Sequence, residues 1–114
     1  YASEAGTPLI ADPGYHLAKE IADSGHLVTS APGPSAILAA LTLAGLPTDR
    51  FLFEGFLPNS KSQRITQMQE LAAIPATLVF YESPKRLIAM LQDAVGVFGA
   101  DRPAAYCREL TKKF

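Results

Sequence analysis

The sequence predicts an α/β fold, a parallel sheet covered by helices, and three observations carry that expectation. Strand-like and helix-like segments alternate along the chain. Glycine- and proline-rich loops follow the strand-like ends, and Thr77-Leu78-Val79-Phe80-Tyr81 is a clear run of β-forming residues.

Tyr1-Ala2-Ser3 reads as a strand end that opens into a small-residue loop over Ser3–Gly14. In that loop Gly6 and Gly14 allow a positive φ or a close approach to the main chain, and Pro8 and Pro13 fix its path. Glu4, Thr7 and Asp12 supply polar groups. Asp12-Pro13 has the pattern of an N-cap followed by proline in the first turn, ahead of Leu17, Ala18, Ile21 and Ala22 at helical spacing. Gly25 ends this predicted helix. Leu27-Val28-Thr29 is a short predicted strand running into a second loop, Ala31-Pro32-Gly33-Pro34-Ser35-Ala36, which opens a helix through Ile37, Leu38, Leu41 and Leu43. Two rigid loops are thereby expected to face one crevice.

Residues 44–50 interrupt the pattern with turn residues and charge and are read as the link between two units, residues 1–47 and 48–114. Phe51-Leu52-Phe53 starts the second unit. Ser60 and Gln63 have capping-box spacing ahead of Ile65, Met68, Leu71 and Ala72, and Pro75 stops that helix. After the Thr77–Tyr81 strand, Ser83-Pro84 repeats the N-cap and proline signal. Leu87, Met90, Leu91, Ala94, Val95 and Phe98 then form an apolar stripe closed by Gly99. Pro103 to Arg108 reads as a further buried strand that enters the charged segment Glu109–Lys113. Ligands of open α/β sheets sit outside the carboxyl ends of the strands, so the loops around Glu4, Pro34, Glu82 and Leu110 are the places to search.

Composition narrows the function classes. The chain has 114 residues, 48% hydrophobic and 18% charged, enough for one modest core. A net charge of -1 offers no global attraction for nucleic acid or an anionic membrane, so any such binding is local. The single Cys107 excludes an internal disulfide, and no apolar run approaches the roughly 20 residues that span a bilayer. A cytoplasmic protein is expected. The chain starts without methionine and stops while the pattern still runs, which reads as an internal fragment.

Each candidate motif has a plainer alternative. The first loop lacks the glycine spacings of dinucleotide and P-loop sites, so it is either an anion- or ligand-cradling loop or a connection doing turn work. Ser35 fits a helix N-cap better than a nucleophile, because no G-x-S-x-G elbow surrounds it. His16 and His26 lie far from any cysteine or carboxylate pair with metal spacing, and no metal is expected. Cys107 fits a small core residue. Lys85, Arg86, Arg108, Lys112 and Lys113 flank two strand ends and either contact phosphates or form a solvated rim with local ion pairs. Lys61 and Arg64 extend that patch only if they share its face.

Five segments together carry a resemblance: S-E-A-G-T-P-L-I-A-D-P-G from Ser3, A-P-G-P-S-A from Ala31, G-L-P-T-D-R-F-L-F-E-G-F-L-P from Gly45, F-Y-E-S-P-K-R-L from Phe80 and R-E-L-T-K-K-F from Arg108. Over essentially its whole length the chain resembles the tetrapyrrole methylase (class III methyltransferase) family, and within it the members that act on ribosomal RNA. The resemblance implies two α/β units, the end of a parallel-sheet N-terminal unit and the start of a mixed-sheet C-terminal unit, with S-adenosylmethionine between them. It implies methyl transfer to the ribose 2′-oxygen of a cytidine in the decoding region of small-subunit ribosomal RNA, in a homodimer.

Carried over by motif, Glu4, Thr7, Ser35 and Ala36 match donor-contacting positions of the first unit, and Glu82 and Leu110 match donor-side positions of the second. The family usually has aspartate where this chain has Glu4, so the carboxylate is retained on a longer arm. Glu82, Glu109 and Lys112 are of suitable type to take a ribose proton. C-methylation of a tetrapyrrole and a non-catalytic binding or assembly module are the competing readings.

Overall fold

The computed structural model describes residues 2–113. Its order is α1 (Tyr15–Asp23), α2 (Ala36–Leu43), β1 (Phe51–Phe56), α3 (Lys61–Ala72), β2 (Thr77–Tyr81) and α4 (Leu87–Phe98). Contacts divide it into two compact units, Tyr1–Leu38 and Ala39–Phe114.

In the first unit, α1 starts later than the Asp12-Pro13 signal suggests. Its N-cap is Gly14 at φ 128°, and no side chain caps it. The C-terminus follows the expected chemistry. Gly25, at φ 79°, donates its N–H to Ala22 at 3.0 Å, and His26 donates to Ile21 at 3.2 Å. That pair of bonds is a Schellman motif, which needs a left-handed residue where glycine stands. The expected stripe of α1 buries nothing among the described residues: Leu17 and Ile21 are exposed.

Two predicted strands are absent. Leu27-Val28-Thr29 and the run from Pro103 to Arg108 both lie outside regular structure, and Leu27 is 90% exposed. A strand is a property of a pair, and among the described residues neither run has a neighbour to complete a ladder. Ala2-Ser3 is not a strand either, and Tyr1 lies outside the described residues.

The parallel pairing that the fold class anticipates lies in the second unit, where a mixed sheet is expected; among the described residues the first unit has no strand. β1 and β2 form a parallel two-stranded sheet, from Phe51 opposite Thr77 to Phe56 opposite Tyr81. The register slips between Phe53 and Gly55, so Glu54 is an extra residue. Gly55, at φ 74°, supplies the left-handed conformation at this bulge. The crossover between the strands is α3, as a parallel connection requires.

α3 packs on α4 and closes a core of Leu57, Met68 and Met90, against which Phe80, Ala94, Val97 and Phe98 lie. Met68 is fully buried. Two details depart from the expected pattern. Ser60 stands at the N-cap of α3 but makes no capping hydrogen bond, and instead its hydroxyl meets that of Ser62 at 3.1 Å. The core-facing side of α4 contains Asp93, while Leu91 and Val95 are exposed. Helix α4 also begins after Arg86, because Ser83 to Arg86 forms a turn in which Arg86 N–H donates to Ser83 at 3.0 Å. No described helix is long and apolar enough to cross a membrane.

Candidate functional site

The first unit brings its two loops together. Ser3 Oγ donates to the carbonyls of Ala5 and Gly6, which folds the start of the first loop on itself. Thr7 Oγ1 then donates to the Pro34 carbonyl at 3.1 Å, a link across 27 residues that makes the loops neighbours. Leu9 and Ala11 take φ of 70° and 54°, left-handed values that cost a β-carbon-bearing residue energy and that gather where surroundings over-determine the backbone. Between them and the helix sits Asp12, whose Oδ2 is buried without a hydrogen-bond partner.

The carried-over positions of this unit differ in setting. Glu4 and Ala36 are exposed, and Thr7 and Ser35 are half-buried. Ser35 Oγ accepts the Leu38 N–H at 3.4 Å, so its hydroxyl caps α2, the role its sequence context favours.

In the second unit, β1 and β2 run parallel, so the loops after Phe56 and after Tyr81 emerge at the same sheet end. The first of them, Leu57-Pro58-Asn59, is anchored by the Leu57 side chain in the core. The second holds Glu82, whose side chain is only 6% exposed. Its Oε1 accepts the Ser83 N–H at 2.7 Å. Its Oε2 lies 3.2 Å from Arg86 Nη2 yet receives no hydrogen bond.

Arg86 does not project into solvent as a phosphate contact would. Its Nη2 donates to the carbonyls of Leu57 at 2.8 Å and Pro58 at 3.1 Å, and its Nη1 donates to Asn59 Oδ1. Arg64 is likewise withdrawn from the suggested basic patch. It is buried, donates from Nε to Asp93 Oδ2 at 2.8 Å, and donates from Nη1 to the carbonyls of Pro58 and Asn59, each at 3.2 Å. Sequence reasoning missed this ion pair, although Arg64 stands four residues before Met68 and seven before Leu71, on the face of α3 that is buried.

The remaining basic positions are open. Lys85, Arg108 and Lys113 are exposed and form no ion pair among the described residues. Lys112 pairs with Glu109 at 3.2 Å, and Glu109 takes a left-handed φ of 51°. Leu110 is 45% exposed. Cys107 is half-buried and outside any strand. Among the described residues no group of three or more His, Cys, Asp or Glu is placed to hold a metal ion.

Comparison with known proteins adds the chemistry that these loops leave open. A family model described as Tetrapyrrole (Corrin/Porphyrin) Methylases matches residues 1–114. Proteins named ribosomal RNA small subunit methyltransferase I are similar throughout. That of Mesorhizobium japonicum is 56% identical over 112 residues, 98% of this chain and 38% of the relative. That of Mycobacterium tuberculosis is 54% identical over 110 residues, 96% of this chain and 39% of the relative. That of Pseudomonas aeruginosa is 50% identical over 112 residues, 98% of this chain and 40% of the relative. The chain thus spans about two fifths of the length of the curated relatives it matches.

Proposed function

The chain belongs to the tetrapyrrole (corrin/porphyrin) methylase family, and from that premise we propose that it works within an S-adenosylmethionine-dependent methyltransferase acting on small-subunit ribosomal RNA. The observation that carries the reading is the match of nearly the whole chain, at about half identity, to relatives bearing that name. The finer reading is methylation of a cytidine ribose 2′-oxygen in the decoding region, in a cytoplasmic homodimer. In this reading the boundary between the two units falls between residues 47 and 48, later in the chain than the contact division after Leu38, and no membrane or metal takes part.

The described residues fit the methyl donor. Two side-chain atoms among them are buried and lack a hydrogen-bond partner, Asp12 Oδ2 and Glu82 Oε2. Both are acceptors, and both stand in loops that the family motifs assign to the donor. A buried acceptor left open costs about 1–3 kcal/mol, a cost that a ligand's ammonium or hydroxyl hydrogens would remove. Glu4, Thr7, Ser35, Ala36, Glu82 and Leu110 are the proposed contacts.

When bound, the donor supplies a methyl carbon already activated by its sulfonium. The protein's remaining tasks are to align the ribose oxygen and exclude water. Thr7, through its bond to Pro34, keeps the first two loops in register for that task. Glu109 is a carboxylate able to receive a ribose proton, and Lys112 already holds its Oε1. Exposed Lys85, Arg108 and Lys113, with Lys112, are the proposed phosphate contacts; they orient RNA without reading its sequence.

The test is to incubate the full-length protein containing this segment with radiolabelled donor and small subunits lacking the modification. Label is expected on a cytidine ribose at the decoding site. Absence of label there would sink the reading, and label on uroporphyrinogen instead would favour the tetrapyrrole alternative.

A further inference from the structure

Arg86 stands in a run of basic residues, but its geometry is that of a residue acting on the protein itself. Nη2 carries two hydrogens, and both are spent on main-chain carbonyls, those of Leu57 and Pro58. Nη1 is engaged by Asn59 Oδ1. The same Nη2 nevertheless lies 3.2 Å from Glu82 Oε2. Glu82 therefore feels the positive charge without receiving a hydrogen from it. Its other oxygen is fixed by the Ser83 N–H at 2.7 Å, so the carboxylate plane is set from both sides while Oε2 keeps its acceptor capacity.

The carbonyls that hold Arg86 belong to a loop that is anchored in turn. Leu57 is 2% exposed in the core beside Met68 and Met90, and the Pro58 carbonyl also accepts from buried Arg64. A chain of rigid contacts thus runs from the core through the loop after β1 to the guanidinium, and from the guanidinium to Glu82. Side chains held in this way lose little freedom when a ligand arrives, which favours binding.

We propose that Arg86 is a positioning residue, which locks the loops after β1 and β2 together and presents Glu82 Oε2 as an open acceptor for a hydroxyl or amine hydrogen of the methyl donor. This rests on the donor reading given above. It also separates Arg86 from neighbouring Lys85, which remains a phosphate contact.

The experiment titrates the full-length protein with S-adenosylhomocysteine by calorimetry and measures KM separately for donor and for RNA. Arg86→Gln is expected to weaken S-adenosylhomocysteine about tenfold and to raise the donor KM with the RNA KM unchanged. Glu82→Gln is expected to weaken it similarly. The double variant should be no weaker than Glu82→Gln alone, because Arg86 acts through that carboxylate. Additive losses, an unchanged affinity in Arg86→Gln, or a rise confined to the RNA KM would each overturn the proposal. If Arg86→Gln does not fold, Asn59→Ala removes one guanidinium partner on the surface. It should weaken binding several-fold, and only where Glu82 is intact. An unmodified protein that binds no S-adenosylhomocysteine overturns the donor reading and this inference with it; a protein that binds but shows no coupling overturns this inference alone.

Discussion

The two units hold their loops by opposite means. In the second, the loop after β1 is tied both to α3, which follows it, and to the distant start of α4: Arg64 and Arg86 both donate to the Pro58 carbonyl, and Leu57 reaches the core. In the first, the loops rely on near neighbours, prolines and a long-range bond from Thr7 to Pro34, while α1 buries no residue among those described. Local devices shape a loop but contribute little apolar burial, and regions with few buried contacts open most easily. Ligand loops are drawn from that end of the stability range. On this comparison the loops of the second unit are held by their own core, and those of the first depend more on what binds them.

The largest expected effect breaks the rigid side. Arg64→Met leaves Asp93, 7% exposed, without its guanidinium; Lys61, 3.8 Å away and 74% exposed, is a weak substitute. A loss of about 3–5 kcal/mol is expected in urea unfolding, because an uncompensated buried charge remains. Replacing both partners, Arg64→Met with Asp93→Leu, should recover most of it, and what is not recovered measures the lost bonds to Pro58 and Asn59. Failure to recover would mean that the carbonyl bonds, not the ion pair, are what Arg64 contributes. Next comes Met68→Ala at the fully buried centre. It should cost about 2–4 kcal/mol, with amide exchange accelerating in α3 and α4 together.

The contrast also explains what was legible in the amino-acid pattern. Helices α2, α3 and α4 and both strands of the second unit follow from spacing and from runs such as Thr77–Tyr81, since each helix buries apolar residues and the two strands pair with each other. Leu27–Thr29 and Pro103–Arg108 look like strands by the same criterion, but the ladder requires a partner that composition does not encode. The Ser83-Pro84 signal marks a turn correctly and misplaces the helix, because Pro84 is equally suited to a turn closed by Arg86. Glu82 was legible as a residue beyond a strand's carboxyl end. The role of Arg86 was not, since its partners at Leu57, Pro58 and Asn59 lie 27 to 29 residues away. Arg64 and Asp93, 29 residues apart, were hidden for the same reason. Charge in a sequence reads as surface until the fold pairs it.

Smaller effects belong to the first unit and sharpen the comparison. Thr7→Val keeps the shape of the side chain and removes the bond to Pro34. It should cost about 0.5–1.5 kcal/mol and raise amide exchange in both loops while leaving α3 and α4 unchanged. A change spread over the second unit would contradict the independence of the two supports.

Lys19→Ala is expected to do least. Lys19 and Asp23 form an i, i+4 ion pair on α1, but their side chains are 54% and 63% exposed, so water screens the pair. Its removal should change stability by about 0.3–0.5 kcal/mol, reduced further in high salt, as measured by the helix signal in circular dichroism. A loss above about 1 kcal/mol would exceed what an exposed pair supplies. It would mean that α1 is held by charge, and that the first unit has a support of its own beyond the bond between its loops.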